Sequence, residues 1–92
     1  MTTNAVWIRV DPEHPAQALQ QEAVEKMNRA EGEVVLDFSS VLRIDSTVVR
    51  ALEELAVLAH DRSVKLVLCA VNMDVYRVLK LLKLTQRFSF LN

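Results

Sequence analysis

Glycine is almost missing from this chain of 92 residues: Gly32 is the only one. A glycine-rich loop, whose backbone N–H groups close around phosphates, is therefore excluded. Cysteine is represented by Cys69 alone. With no second thiol there is no internal disulfide, and a reducing, cytoplasmic compartment is the expectation. Cys69 follows Leu66, Val67 and Leu68, so it reads as a buried, inert thiol rather than a nucleophile. Neither sign of charge dominates, with 11 basic and 12 acidic residues and a net charge of -1. Without a basic block to hold a phosphate backbone, nucleic acid is not an expected partner. No apolar run approaches the roughly 18 residues of a membrane span. Met1 is followed by polar Thr2, Thr3 and Asn4, which is not how a signal peptide begins. No Cys/His cluster has metal-ligand spacing, and neither a metal nor another cofactor is expected.

Apolar residues are plentiful, at 51%, and the length suits one domain over residues 1–92 with a single modest core. Ala5 to Val10 alternates Val6, Ile8 and Val10 with Trp7 and Arg9, the pattern of a half-buried strand. Trp7 suits an anchor for the core or for a partner, and the core is the expectation. Pro12 and Pro15 end that ladder, and Pro15 suits the first turn of a helix. Ala16, Leu19, Ala23 and Met27 then share one face of a helix running to about Arg29, with Gly32 at a plausible helix end. Glu33 to Phe38 is a second strand, and consecutive Val34, Val35 and Leu36 suggest burial on both faces. Val48, Ala51, Leu52, Leu55 and Ala59 form the stripe of a helix from about Ser46 to His60. Val49 and Val57 lie on a flank that need not be covered. Val64 to Val71 is a third strand, and Asn72 a good N-cap for a helix from Met73 to about Lys83. Its buried face is Val75, Val78, Leu79 and Leu82. Phe88, Phe90 and Leu91 close the core as a short strand or packed tail. Strands alternating with helices imply an α/β domain, since parallel strands need long crossovers.

The chemistry-bearing residues gather at Asp45-Ser46-Thr47, where a loop meets a helix. Asp and Ser are both favoured caps, worth about 1 kcal/mol. A phosphoryl group on Ser46 would also sit where helix N–H groups and the macrodipole favour negative charge. It would add about -1.5 to -2 charge next to Asp45. The cap and the switch readings both stand on these residues. Other candidates are weaker. His60 reads as a dipole partner at a helix end, and His14 is isolated in a loop. A Ser46, His60 and Asp61 set fails on geometry, because the two ends lie about 20 Å apart along one helix. Lys80, Lys83 and Arg87 read as a solvated basic face. No catalytic set survives, so an enzyme is not expected.

The string from Val34 to Leu55 resembles the STAS domain, the module of bacterial anti-sigma factor antagonists and of sulfate-transporter tails. The resemblance rests on an apolar strand ending in Asp37, the loop Ser39-Ser40-Val41, Ile44, and Asp45-Ser46 at a helix start. It continues through KLVLCAV and VYRVLKLLKLTQRFSF and covers about Glu33 to Phe90. Where the family commonly has glycine, this chain has Val48, Ser63 and Lys83, and one clear strand precedes the first helix where the family usually offers two. The resemblance implies a single STAS-like α/β domain. It would have a mixed, mostly parallel sheet of about four strands with helices mainly on one face. It also implies a binding module in which Ser46, or the adjacent Thr47, is phosphorylated by a serine kinase that is also an anti-sigma factor. The unmodified form would bind that kinase through Asp45, Ser46, Thr47, Ser39, Ser40, Val49 and Arg50. The alternative it implies is a regulatory or assembly subunit of a membrane transporter.

Overall fold

The computed structural model describes residues 5–30 and 32–91. The polar opening from Met1 to Asn4, on which the signal-peptide reading rests, lies outside them. Four strands, β1 (Ala5–Arg9), β2 (Glu33–Asp37), β3 (Lys65–Cys69) and β4 (Ser89–Leu91), form one sheet. Their spatial order is β1-β2-β3-β4 and every pairing is parallel. Each pair is joined by a helical crossover, and crossovers of one hand that always step the same way stack on one face. The helices therefore cover a single side, as expected. Phe90 and Leu91 lie in the strand β4, with Phe88 just before it, rather than in an unpaired tail, and Leu91 is largely exposed.

Side chains alternate across the sheet. Ile8, Val10, Val34, Leu36, Phe38, Leu66, Leu68 and Phe88 belong to one buried cluster with the helices. Val35 and Val67 are register partners and also buried, but they lie outside that cluster, on the opposite face. Trp7 shares their row through the β1–β2 register. It is 59% exposed, so it is no core anchor; Ile8, one residue on, occupies the helix side. Cys69 lies on the open face too and is only half-buried, because the apolar run around it alternates between the two faces.

The first helical stretch comprises α1 (Pro15–Gln17), a π-helical segment (Ala18–Ala23) and α2 (Val24–Arg29). Pro15 stands in its first turn, where no partner for its nitrogen is needed. Leu19, Ala23 and Met27 are buried as the spacing predicts. The chain leaves α2 through Ala30 in an extended conformation, and no described glycine has positive φ. Gly32 is therefore not the left-handed cap its position suggested.

α3 (Ser46–Asp61) buries Val48, Ala51, Leu52, Leu55, Ala56 and Ala59, and α4 (Met73–Leu81) buries Val75 and Leu79. Both helices end alike. Behind α3, Ser63 N–H donates to the His60 carbonyl and Val64 N–H to the Ala59 carbonyl. Behind α4, Lys83 N–H donates to the Lys80 carbonyl and Leu84 N–H to the Leu79 carbonyl. These are Schellman caps, in which the turn residue is left-handed and the next residue packs back apolar. Ser63 (φ 56°) and Lys83 (φ 59°) hold the left-handed positions, and Val64 and Leu84 are buried. The turn also explains Leu82, expected in the core but 49% exposed. The helix stops before it, and Leu84 fills the core in its place.

Candidate functional site

The carboxyl ends of β2 and β3 open into two loops, the region where open α/β sheets place their sites. After β2, the Asp37 carboxylate (Oδ1) accepts from the Ser39 N–H at 2.8 Å, forming a tight turn. That N–H, then the Ser39 hydroxyl and the charge of Arg9, hold the Asp37 carboxyl below its usual range, against partial desolvation. Arg9 Nη2 donates to Ser40 Oγ at 3.0 Å. The first strand thereby braces the loop that follows the second. Of the two serines expected in the docking face, Ser39 is exposed and Ser40 is half-buried and engaged.

Asp45 is the N-cap of α3: its Oδ1 accepts from the Val48 N–H at 3.0 Å, and its carbonyl accepts from Val49 N–H. The cap and switch readings thus fall on different residues. Ser46 stands at the first helical position and Thr47 at the second, both exposed. Arg50 is exposed and Val49 half-buried. Val48, where the family commonly has glycine, points into the core at 1% exposure. It therefore adds no bulk to the outer surface of this turn.

Asn72 is a bracket that sequence reasoning recognised only as a cap. Its Oδ1 accepts from Val75 N–H at 2.8 Å at the start of α4. Its Nδ2 donates to the carbonyls of Leu42 at 3.0 Å and Val41 at 3.3 Å. One amide thus ties the loop before Asp45 to the fourth helix. The bracket ties the Leu42 carbonyl to the residue before Met73, and the side chains of Leu42 and Met73 are each 73% exposed. An open cleft of about 350 Å³ is lined by the next residues along, Arg43, Ile44 and Asp74, together with Val78. Leu81, on the outer side of α4, is 77% exposed. The sequence signal for this apolar ground was the unassigned run Val41-Leu42-Arg43-Ile44, too short for a strand and too apolar for an ordinary loop.

The remaining candidates do not join this cluster. His60 lies near the far end of α3; Cys69, the register partner of Asp37 at the end of β3, is half-buried on the open face of the sheet. A cleft of about 540 Å³ along the first helical stretch, with Asp11 and His14, shares none of its residues. No helix among the described residues is long and apolar enough to cross a membrane. Among them, no group of three or more His, Cys, Asp or Glu is placed to hold a metal ion.

A crystal structure described as a candidate anti-sigma factor antagonist, TM1081 from Thermotoga maritima, superposes with a TM-score of 0.75 at 19% identity. It covers 100% of this chain and 76% of that one. An NMR structure of TM1081 gives 0.76 at 19% identity, covering 98% and 75%. At that identity the likeness is one of fold. No curated protein matches the chain. The family model of the STAS domain matches residues 13–92, and the chain belongs to the STAS domain family.

Proposed function

We propose that this protein is a phosphorylation-regulated docking module of the anti-sigma factor antagonist type. Ser46 is its phosphoacceptor and Thr47 the adjacent alternative. The observation that carries this reading is the division of labour at the helix start. Asp45 caps the helix, and Ser46 beside it is exposed. A phosphate there meets the positive end of a helix of 16 residues, so the fold tolerates it. The added charge, about -1.5 to -2, lands beside the apolar ground of Leu42, Ile44 and Met73. A partner that covers this ground must then desolvate a dianion, which abolishes docking without unfolding anything.

The partner of this reading is an anti-sigma factor that is also a serine kinase. It docks on Asp45, Ser46, Thr47, Ser39, Ser40, Val49 and Arg50. Leu42, Ile44 and Met73 extend that face toward α4. The test uses the purified protein with a candidate kinase of this class and ATP, followed by phosphosite mapping. Phosphate is expected on Ser46 or Thr47. Binding of the same kinase, measured by calorimetry, should be retained by Ser46→Ala and weakened at least about tenfold by Ser46→Asp, or roughly 1.4 kcal/mol. Modification elsewhere, or full-strength binding by Ser46→Asp, overturns the reading.

A further inference from the structure

We infer that Arg50 receives the phosphate within this chain. A phosphoryl group on Ser46 draws the Arg50 guanidinium back across one helical turn and takes it out of the docking face. The inference rests on Ser46 as phosphoacceptor and adds a second arm to that switch. Ser46 and Arg50 both lie in α3, and both are exposed. Four residues separate them, so they stand about 6 Å apart along the helix axis and about 40° apart around it. That is the spacing at which opposite charges meet on a helix surface.

Arg50 has other anions within reach. Glu53 and Glu54 follow it on the same helix, three and four residues on, and both are exposed. The one ion pair among the described residues is Arg29–Glu25, so neither glutamate holds Arg50. A phosphate at Ser46 competes on better terms than either. It carries about -1.5 to -2 charge where a glutamate carries one. It lies on the amino-terminal side of its cation, the order a helix favours, whereas the glutamates lie on the other side. Its oxygens also match the paired N–H donors of a guanidinium. The remaining charges near Ser46 sharpen the need for this cation. Asp45 precedes Ser46 and spends its carboxylate on the cap, where it repels a phosphate. Arg43, in the loop, shares its cleft with Asp74 of α4. On α3 itself, Arg50 is the cation one turn from Ser46. Modification therefore places a dianion on the docking face and withdraws a guanidinium from it.

The test uses the full chain with phosphoserine installed in place of Ser46 during translation, which needs neither kinase nor partner. The second ionisation of the phosphoserine, near pH 6 in an ordinary setting, is followed by phosphorus NMR. A guanidinium in contact favours the dianion. The midpoint should therefore lie about 0.3 unit lower with Arg50 than in Arg50→Gln, a change of about twofold in proton affinity. The gap should close in about 1 M sodium chloride. Thermal midpoints with and without the phosphate, each with and without Arg50→Gln, complete a double-mutant cycle. The phosphate should raise the midpoint more when Arg50 is present, by about 1–3 °C. A purely structural role for Arg50 shifts both forms equally and leaves no such coupling. Equal ionisation midpoints with and without Arg50→Gln, or thermal effects that simply add, overturn the inference. Because the phosphate is built in, failure of a kinase to modify Ser46 counts against the phosphoacceptor reading and leaves this result standing.

Discussion

Asp45 and Ser46 are adjacent, yet they owe different things to the fold. Asp45→Ala removes the acceptor for the Val48 N–H and should cost about 1 kcal/mol. Ser46→Ala should change stability by less than about 0.5 kcal/mol. Paired urea titrations check both. A larger loss for Ser46→Ala than for Asp45→Ala would reverse the assignment. Asp37 carries the pH dependence of the same loop. Its carboxyl is lowered in the folded state, chiefly by the Ser39 N–H, so the fold favours the ionised form. That contribution is complete above the ordinary carboxylate pKa of about 3.9 and fades as pH falls through the lowered value. Asp37→Asn should therefore destabilise at neutral pH. Its deficit against the parent protein should shrink below about pH 4, read as converging denaturation midpoints.

At the scale of elements, the two Schellman caps end in residues with a Cβ. A left-handed turn crowds that Cβ against the following carbonyl, which glycine avoids. Ser63→Gly and Lys83→Gly are each expected to stabilise by about 0.5–1 kcal/mol, the relief being partly offset by a looser unfolded chain. In a domain of this size that is a rise of a few degrees in Tm. Unchanged or lowered midpoints in calorimetry would refute the strain argument. The order of strands and helices was legible because apolar spacing of two or about four residues persists along each element. The widened turns at Ala18–Ala23 were not, since nothing in ALQQEA departs from ordinary helical spacing. The reading also missed the exposure of Trp7. Its alternation with Ile8, which is buried on the helix side, puts Trp7 on the opposite face.

On the scale of the whole molecule, the site was partly legible. Asp45, Ser46 and Thr47 mark a helix start by type alone, and they are found there. Which residue caps depends on where the loop delivers the chain, and that depends on Asn72, some thirty residues away. The exposure of Leu42 and Met73 has the same distant origin. Leu42→Ser combined with Met73→Ser touches side chains that are mostly in water, so stability should move by less than about 1 kcal/mol. Partner affinity should fall about tenfold or more, as for an apolar anchor at an interface. The paired measurement is a melting curve and a binding isotherm; affinity unchanged in the double variant would confine the docking face to the start of α3. By contrast, Leu52→Ala, at a fully buried position, should cost about 2–5 kcal/mol.

The strand order β1-β2-β3-β4 has a further consequence for how the chain is made. Synthesis proceeds from the amino end, and each new strand finds its only earlier neighbour already emerged. No strand must wait for a later segment to be inserted between it and its predecessor. The sheet can therefore grow vectorially as the chain leaves the ribosome, by accretion at one edge, with each crossover helix settling on the face just completed.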